Sequence, residues 1–557
     1  MSKKRVLFVG EYSQVSTGFA TIARHLLPEL YAKHSDKFEI AELACYLPEG
    51  HPNADIVPWK VYGNRPPQGD NRSNAAFDSN PQNEFGLWSF DKVLLDFQPH
   101  VVVTWRDPWF DQFIHKHPYR RFFKFVHMPT CDGTPQKHEW LSDTASADLI
   151  LTYSFWAKMV LERETNGAIK VFDVASPPID TDAFKIQDKI QLRKNFGVPE
   201  DTMIFGACMR NQPRKLFPDF MKGFTHYLDV CKDNNRTDLI NKSFLWFHTT
   251  YPDLGWDFAE EIKRHNLGHK ILFTYSCQCG AVYPAFFSGE LAFCRECNKR
   301  TASMPNTGNG VSREMLGKIY NCWDLLGQIS CSEGFGMGQN EAKACGCPIL
   351  TTDHSAMTEQ GNSPGGMILP VSQLVQESQH QTNQLRAYIA PDVLGELLYN
   401  FSIKPESERT KMGLDGSKFV HEQYSIENIA SIWVRALEYV NVENLPSWDS
   451  PAKLINPVTQ NIPANLPPID FVKWCYYNIL QSPEELHSYE AYKSIQVLEK
   501  GCDMSIDGSG RAKREPIDYE KYVKYLLGKV QNYNQLEMKR INKFASHDTK
   551  RVAVMEI

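Results

Sequence analysis

The sequence predicts an α/β protein made of two doubly wound domains that face each other, and three observations predict it. First, four short apolar runs in the N-terminal part are continuous rather than alternating: "RVLFVGEY" (5–12), "HVVVTW" (100–105), "FFKFVHMP" (122–129) and "ADLILTYS" (147–154). Continuous runs of this length are what parallel strands covered on both faces require. Second, helical stretches lie between several of them. Third, the pattern stops at "ASPPIDTDAF" (175–184), whose prolines and aspartates suit a linker, and then restarts. The second series is "MIFGACM" (203–209), "SFLWFHT" (243–249), "KILFTY" (270–275), "LLGQIS" (325–330) and "CPILTT" (347–352). A chain of 557 residues is also too long for a single core. Ligands of such sheets bind at the C-terminal ends of the strands, here in the cleft between the domains.

The elements follow in order. The first strand ends at Gly10 and leads into "STGFATIARHLLPELYAKH", a helix with Ser16 or Thr17 as its cap. Residues 50–90, rich in Asn, Pro, Gly and Asp, read as a long loop or insertion. The first domain is expected over 1–185 and the second over 186–440, closed by the amphipathic helix "YSIENIASIWVRALEYV" (424–440). A proline-rich connector (441–469) and a mainly helical extension (470–557) complete the chain, with "GSGRAKREP" (508–516) as a surface loop.

Composition narrows the class. The formal net charge of −6 does not suit a protein that coats nucleic acid. The apolar run after the opening basic pair is too short for a secretory signal, and no segment reaches eighteen apolar residues. The fourteen cysteines are mostly scattered, as in a reduced, cytoplasmic protein. Four of them cluster: Cys277 and Cys279 form C-x-C, and Cys294 and Cys297 form C-x2-C. Four thiolates suit a structural zinc with no open position, folding an insertion over 276–300 near the cleft rim.

"EGFGMGQNEAKACGCPIL" (333–350) carries the densest chemistry. Glu333 directly follows an expected strand. Gly334, Phe335, Gly336, Met337 and Gly338 let the chain approach a ligand, and the helix that starts there offers free N–H groups to an anion. The Glu341 carboxylate could accept hydrogen bonds from hydroxyls. The same stretch could equally be a glycine turn followed by acids that satisfy the helix dipole. In "GACMRNQPRK" (206–215), Arg210 and Lys215 follow a strand and could neutralise a diphosphate. In "FKFVHMPT" (123–130), His127 stands at a strand end, with Asp132 just beyond. Gly10 and Gly18 flank the first strand-to-helix turn.

The 333–350 stretch resembles the E-x7-E motif of retaining GT-B glycosyltransferases, specifically the GT4 family. The resemblance extends from about residue 5 to 440 and excludes the C-terminal extension. It implies a GT-B architecture of two Rossmann-like domains and transfer of a sugar from a nucleotide-diphosphate sugar with retention. It implies that Glu333 touches the sugar hydroxyls, Glu341 holds the ribose, and the backbone of 334–338 meets the sugar and diphosphate. Arg210 and Lys215 would neutralise the leaving diphosphate, His127 would contact the transferred sugar, and Gly18 would leave room for donor or acceptor. Tyr320 and Asp324 resemble structural positions of the preceding helix. No catalytic divalent metal is expected. The acceptor is open among glycans, small molecules, proteins and modified nucleic acid bases. Tyr519, Tyr522, Tyr525 and Tyr533 in the basic tail give a slight lean to nucleic acid, although tyrosines at helical spacing more often serve packing. Two other readings remain: a noncatalytic sugar-nucleotide-binding or scaffold protein on this fold, and a nucleotide-sugar epimerase.

Overall fold

The computed structural model describes residues 3–306, 309–448, 502–506 and 512–516. The chain divides into two compact units, Met1–Trp88 with Pro99–Glu443, and Ser89–Gln98 with Asn444–Ile557. The first unit holds two sheets. One contains β1 (Lys4–Glu11), β2 (Phe38–Pro48), β3 (Lys60–Arg65), β4 (Val101–Thr104), β5 (Lys124–His127), β6 (Leu149–Thr152) and β7 (Val171–Val174). Their order is β3-β2-β1-β4-β5-β6-β7, and every pairing is parallel. The chain doubles back between β1 and β4, which is the switch point of a doubly wound sheet.

The second sheet contains β8 (Met203–Cys208), β9 (Ser243–His248), β10 (Ile271–Cys277), β11 (Val282–Phe286), β12 (Ala302–Ser303), β13 (Leu325–Gln328), β14 (Ile349–Thr352) and β15 (Gly366–Leu369). Its order is β11-β10-β9-β8-β13-β14-β15; within it β10-β9-β8-β13-β14-β15 repeats the first sheet's β3-β2-β1-β4-β5-β6 and puts the switch point between β8 and β13. β11 and β12 pair antiparallel to β10 and belong to the cysteine-bearing insertion. Beyond β15, β16 (Val371–Gln376) and β17 (Leu385–Ile389) form a separate antiparallel hairpin.

Continuous apolar strands became buried strands because both faces are covered. Phe205 and Leu245 pack with Phe220 and Phe224 on one side of the second sheet. Ile204, Trp246 and Leu326 pack with Tyr320 and Trp323 on the other. Thr17, not Ser16, caps the Gly18–His34 helix, accepting from the Ala20 N–H at 3.3 Å.

Three expectations are corrected. Residues 50–90 are not a plain loop: they supply edge strand β3 and the Asn71–Asp78 helix, capped by Asp70. The Ile426–Tyr439 helix does not close the second domain. Trp433, Ala436 and Leu437 bury against the first sheet, with Trp433 edge-on to Trp105 at 5.7 Å. Lys4 donates to its last turn, to Leu437 O at 2.6 Å and Val440 O at 2.8 Å, where a cation favours the helix dipole. In the second unit, the surface loop expected over 508–516 is in part a strand: β18 (Cys502–Ile506) pairs antiparallel with β19 (Ala512–Pro516). The rest of the expected helical extension, and the connector from 449 onward, lie outside the described residues.

Candidate functional site

The loops that follow β8 and β13 are stitched together by their backbones. Leu216 N donates to Ile329 O at 3.0 Å, and Cys331 N donates to Arg214 O at 2.8 Å. This brings Lys215 and Glu333, 118 residues apart, into a buried ion pair at the switch point of the second sheet. Gln328 donates to the same Glu333 oxygen, Oε1, at 2.7 Å. The Glu333 N–H donates to Ser355 Oγ at 2.9 Å, fixing its backbone. Burial pushes the Glu333 carboxyl up, but the Lys215 ammonium and Arg214 outweigh it and hold the group below its ordinary range. Burial draws Lys215 below the usual lysine value, with Glu333 opposing.

Arg210 is not brought to this pair. Its guanidinium forms a two-pronged bridge to Asp253, at 2.7 Å and 2.9 Å, and its side chain is 59% exposed. The cation that acts beside Lys215 is Arg214, which also draws on Asp107 across the cleft. Sequence reasoning passed over Arg214 although it adjoins Lys215; the cross-loop pairing that places it is invisible in one segment.

After Glu333 the chain turns through Gly336, whose φ of +84° lies in the left-handed region that favours glycine. The Met337–Ala344 helix then begins, and no side chain caps it. An uncapped helix start is the kind of site that favours an anion. Gly338 brings the helix's first turn against the end of β8: a Cβ there would stand 3.1 Å from Tyr320 Oη and 3.4 Å from Cys208 O.

Glu341 is buried one turn into the helix. The Tyr320 hydroxyl donates to its Oε2 at 3.0 Å, and Arg313 Nη2 lies 4.0 Å from Oε1. Burial pushes this carboxyl up, and Arg313 only partly offsets it. Tyr320 thus touches a site residue, whereas Asp324 is an anchor beneath the sheet. Asp324 takes Lys189, Arg193 and the Ile204 N–H, each at 2.7 Å.

His127 is fully buried at the end of β5. The strand turns Phe125 and His127 to one face, where their rings stack at 5.2 Å. His127 Nε2 lies 3.5 Å from Asp111 Oδ2, and Arg106 donates to the other Asp111 oxygen at 2.7 Å. Burial pushes the Asp111 carboxyl up, but Arg106 and His127 reverse this and bring it to about 2. In this arrangement the His127 ring faces Asp111 and His115, not open space. Asp107, in the loop after β4, is pushed up to about 7 by burial and by the charge of Asp132. Gly10 and Gly18 face open space, since a Cβ at either would meet nothing within 4 Å.

The four clustered cysteines converge. Cys277 and Cys297 Sγ atoms are 3.7 Å apart, Cys279 and Cys294 are 3.6 Å apart, and all four lie within 4.8 Å of one another. A tetrahedral ion with metal–sulfur bonds of about 2.3 Å requires sulfur separations of about 3.8 Å, so the donor set fits a structural metal. The knob hangs on the C-terminal end of β10. Asn309 ties the returning chain to it, donating to Ser276 O at 3.1 Å and accepting from Ser276 Oγ at 3.0 Å. Among the described residues, no helix is long and apolar enough to cross a membrane.

No protein-family model matches the chain, and no curated protein matches it. Solved structures do. Sucrose-phosphate synthase from Thermosynechococcus elongatus superposes with a TM-score of 0.54 at 14% identity, over 78% of this chain and 98% of that one. Anabaena HepE in complex with UDP and glucose gives 0.52 at 12% identity, over 78% and 100%. A glycosyltransferase from Rickettsia africae gives 0.51 at 12% identity, over 80% and 100%. At these identities the likeness shows the fold: two facing Rossmann-like domains in the GT-B architecture, with the cysteine knob inserted into the second.

Proposed function

We propose that the chain is a retaining, GT4-like glycosyltransferase that transfers a sugar from a nucleotide-diphosphate sugar to an acceptor. The observation that carries this reading is the Lys215–Glu333 pair at the switch point, directly ahead of an uncapped helix. Such a site offers a cation and oriented N–H groups to a diphosphate, with a carboxylate beside them for sugar hydroxyls. Glu341, steadied by Tyr320, takes the ribose hydroxyls. The ligands bound in the HepE structures, UDP and UDP-glucose, support a nucleotide-sugar donor.

In the reaction, the bond between the anomeric carbon and the diphosphate oxygen breaks, and the acceptor oxygen bonds that carbon on the same face. The acceptor proton passes to the leaving diphosphate, the base generated on that face. Lys215, Arg214 and the helix start stabilise the charge that develops on it. Arg210 joins them once a diphosphate outcompetes Asp253. His127 supports the first-domain wall by fixing Asp111 and the Arg106 loop. The cysteine knob holds structural zinc, and the protein works in the cytoplasm.

Calorimetric titration with a panel of nucleotide-diphosphate sugars tests this reading. Saturable binding of at least one donor is expected, weakened ten-fold or more by Glu341→Ala. Nuclear magnetic resonance of the product should show the donor's anomeric configuration retained. Conversion of the donor sugar with no acceptor present would instead indicate an epimerase, and binding without turnover a scaffold.

A further inference from the structure

We propose that Arg386 is a positioning residue that clamps the first domain onto the donor loop of the second. Its catalytic consequence rests on the glycosyl-transfer reading above; its structural consequence does not.

The β16–β17 hairpin is attached to both domains through two residues that flank Arg386. Ala387 N donates to Cys331 O at 3.1 Å, two residues before Glu333, and Leu385 N donates to Thr134 O at 2.8 Å in the first domain. Arg386 lies between these two attachments, with its side chain 7% exposed. Its Nη1 donates to Asp132 Oδ2 at 3.1 Å and to the Ser332 hydroxyl, the residue preceding Glu333. Ser332 Oγ in turn donates to Asp132 Oδ2 at 3.3 Å, so first domain, hairpin and donor loop meet in one triangle. Nη2 donates to Thr382 Oγ1 at 3.1 Å, and Nε pairs with Glu377 Oε1 at 3.1 Å, which fixes the guanidinium within its own hairpin.

The chain is shaped for this contact at two glycines. A Cβ on Gly133 would stand 2.5 Å from Gln384 Oε1 and 2.9 Å from Gln384 Cβ, so any side chain there would wedge hairpin and first domain apart. A Cβ on Gly334 would stand 2.8 Å from Thr130 Cγ2, again across the cleft. Lys137 adds a third tie, donating to Gln381 O at 2.6 Å. Arg386 forms no bond to Lys215 or Glu333 and acts through Ser332. One guanidinium pairs with both Asp132 and Glu377, so its removal leaves two carboxylates without their shared counter-charge.

Amide hydrogen exchange on the full chain tests the clamp without reference to any substrate. In Arg386→Ala, exchange should rise ten-fold or more in peptides spanning 131–137 and 381–388, while peptides from β8 and β13 stay protected. Gly133→Ala, with Arg386 intact, should give the same pattern, and Arg386→Lys a smaller rise. With a donor and acceptor in hand, Arg386→Ala should lower kcat at least ten-fold and change the donor KM less than three-fold, because the donor loop itself remains built. Unchanged exchange in both segments overturns the clamp. So does a uniform rise that includes β8 and β13, which marks Arg386 as a general stabiliser. If no nucleotide sugar binds, the glycosyl-transfer reading fails while the exchange data still decide the clamp.

Discussion

Lys215 and Glu333 form a buried ion pair across the two loops that leave the switch point of the second sheet. Among the described residues no further ion pair reaches either side chain, and Gln328 also donates to the carboxylate, at 2.7 Å. Breaking such a pair from one side leaves an uncompensated buried charge, at a cost of about 3–5 kcal/mol. Lys215→Met and Glu333→Gln should each lower the denaturation midpoint markedly, and the double variant should lose less than the sum. Because the Glu333 carboxyl lies below its unfolded value, its contribution is complete above the unfolded carboxylate range. It is lost as pH falls through the lowered folded value. Thermal melts from pH 7 to pH 3 on wild type and Glu333→Gln would show this as a difference that shrinks with acidification.

Glu341 behaves in the opposite sense. Burial raises its carboxyl, so the ionised form that would accept ribose hydroxyls on the proposed reading is depleted at a higher pH than for an ordinary glutamate. Donor affinity should fall as pH drops through that raised value, and Glu341→Gln should bind weakly with this dependence removed. Tyr320→Phe removes the 3.0 Å hydrogen bond to Glu341 and should weaken donor binding by about five- to ten-fold, the loss of roughly 1 kcal/mol. Titration calorimetry at several pH values checks all three.

Asp107 gives a third pH signature. Its carboxyl sits at about 7 because of burial and the neighbouring Asp132. A carboxyl with a raised folded value contributes stability at low pH and loses it as pH rises through that value. Asp107→Asn should therefore melt higher than wild type at pH 8, with the gain vanishing toward pH 4. Each kcal/mol would appear as about 2–4 °C. An equal shift at both pH values would contradict the assignment.

The cysteine knob predicts about one zinc per chain by elemental analysis. Cys294→Ser should lose it, because three thiolates close the site poorly. The same variant should raise exchange at Asn309 and in the Arg313–Cys322 helix, since Asn309 joins the knob to β10 just ahead of that helix. Unchanged zinc content in Cys294→Ser would sink the site.

Much of this was legible in the sequence, and the exceptions share a cause. Continuous apolar runs marked the buried parallel strands, because two-sided burial leaves no polar face to alternate. Lys215 and Glu333 could be singled out because each lies in a loop that follows a strand, and Glu341 because it stands on the helix that the glycine turn after Glu333 begins. Legibility ended where a partner distant in sequence decides the outcome. Asp253, 43 residues on, turns Arg210 outward. Asp111 claims the His127 ring. An amphipathic helix displays an apolar face without naming the core it covers, so Trp433 was assigned to the wrong domain. Arg386 meets Asp132 across 254 residues, from a hairpin whose outer strand is mostly exposed and carries no core pattern.

On the proposed reading, the Lys215–Glu333 loop pair and the helix start at Met337 receive a nucleotide-diphosphate sugar and let its nucleoside diphosphate leave. The most direct measurement is nucleoside diphosphate release from a panel of such donors, by wild type and by Lys215→Ala, with folding of the variant verified by its melt. Release from at least one donor is expected, reduced at least a hundred-fold in Lys215→Ala. Release that survives Lys215→Ala undiminished, or no release and no binding across the whole panel, would contradict that reading.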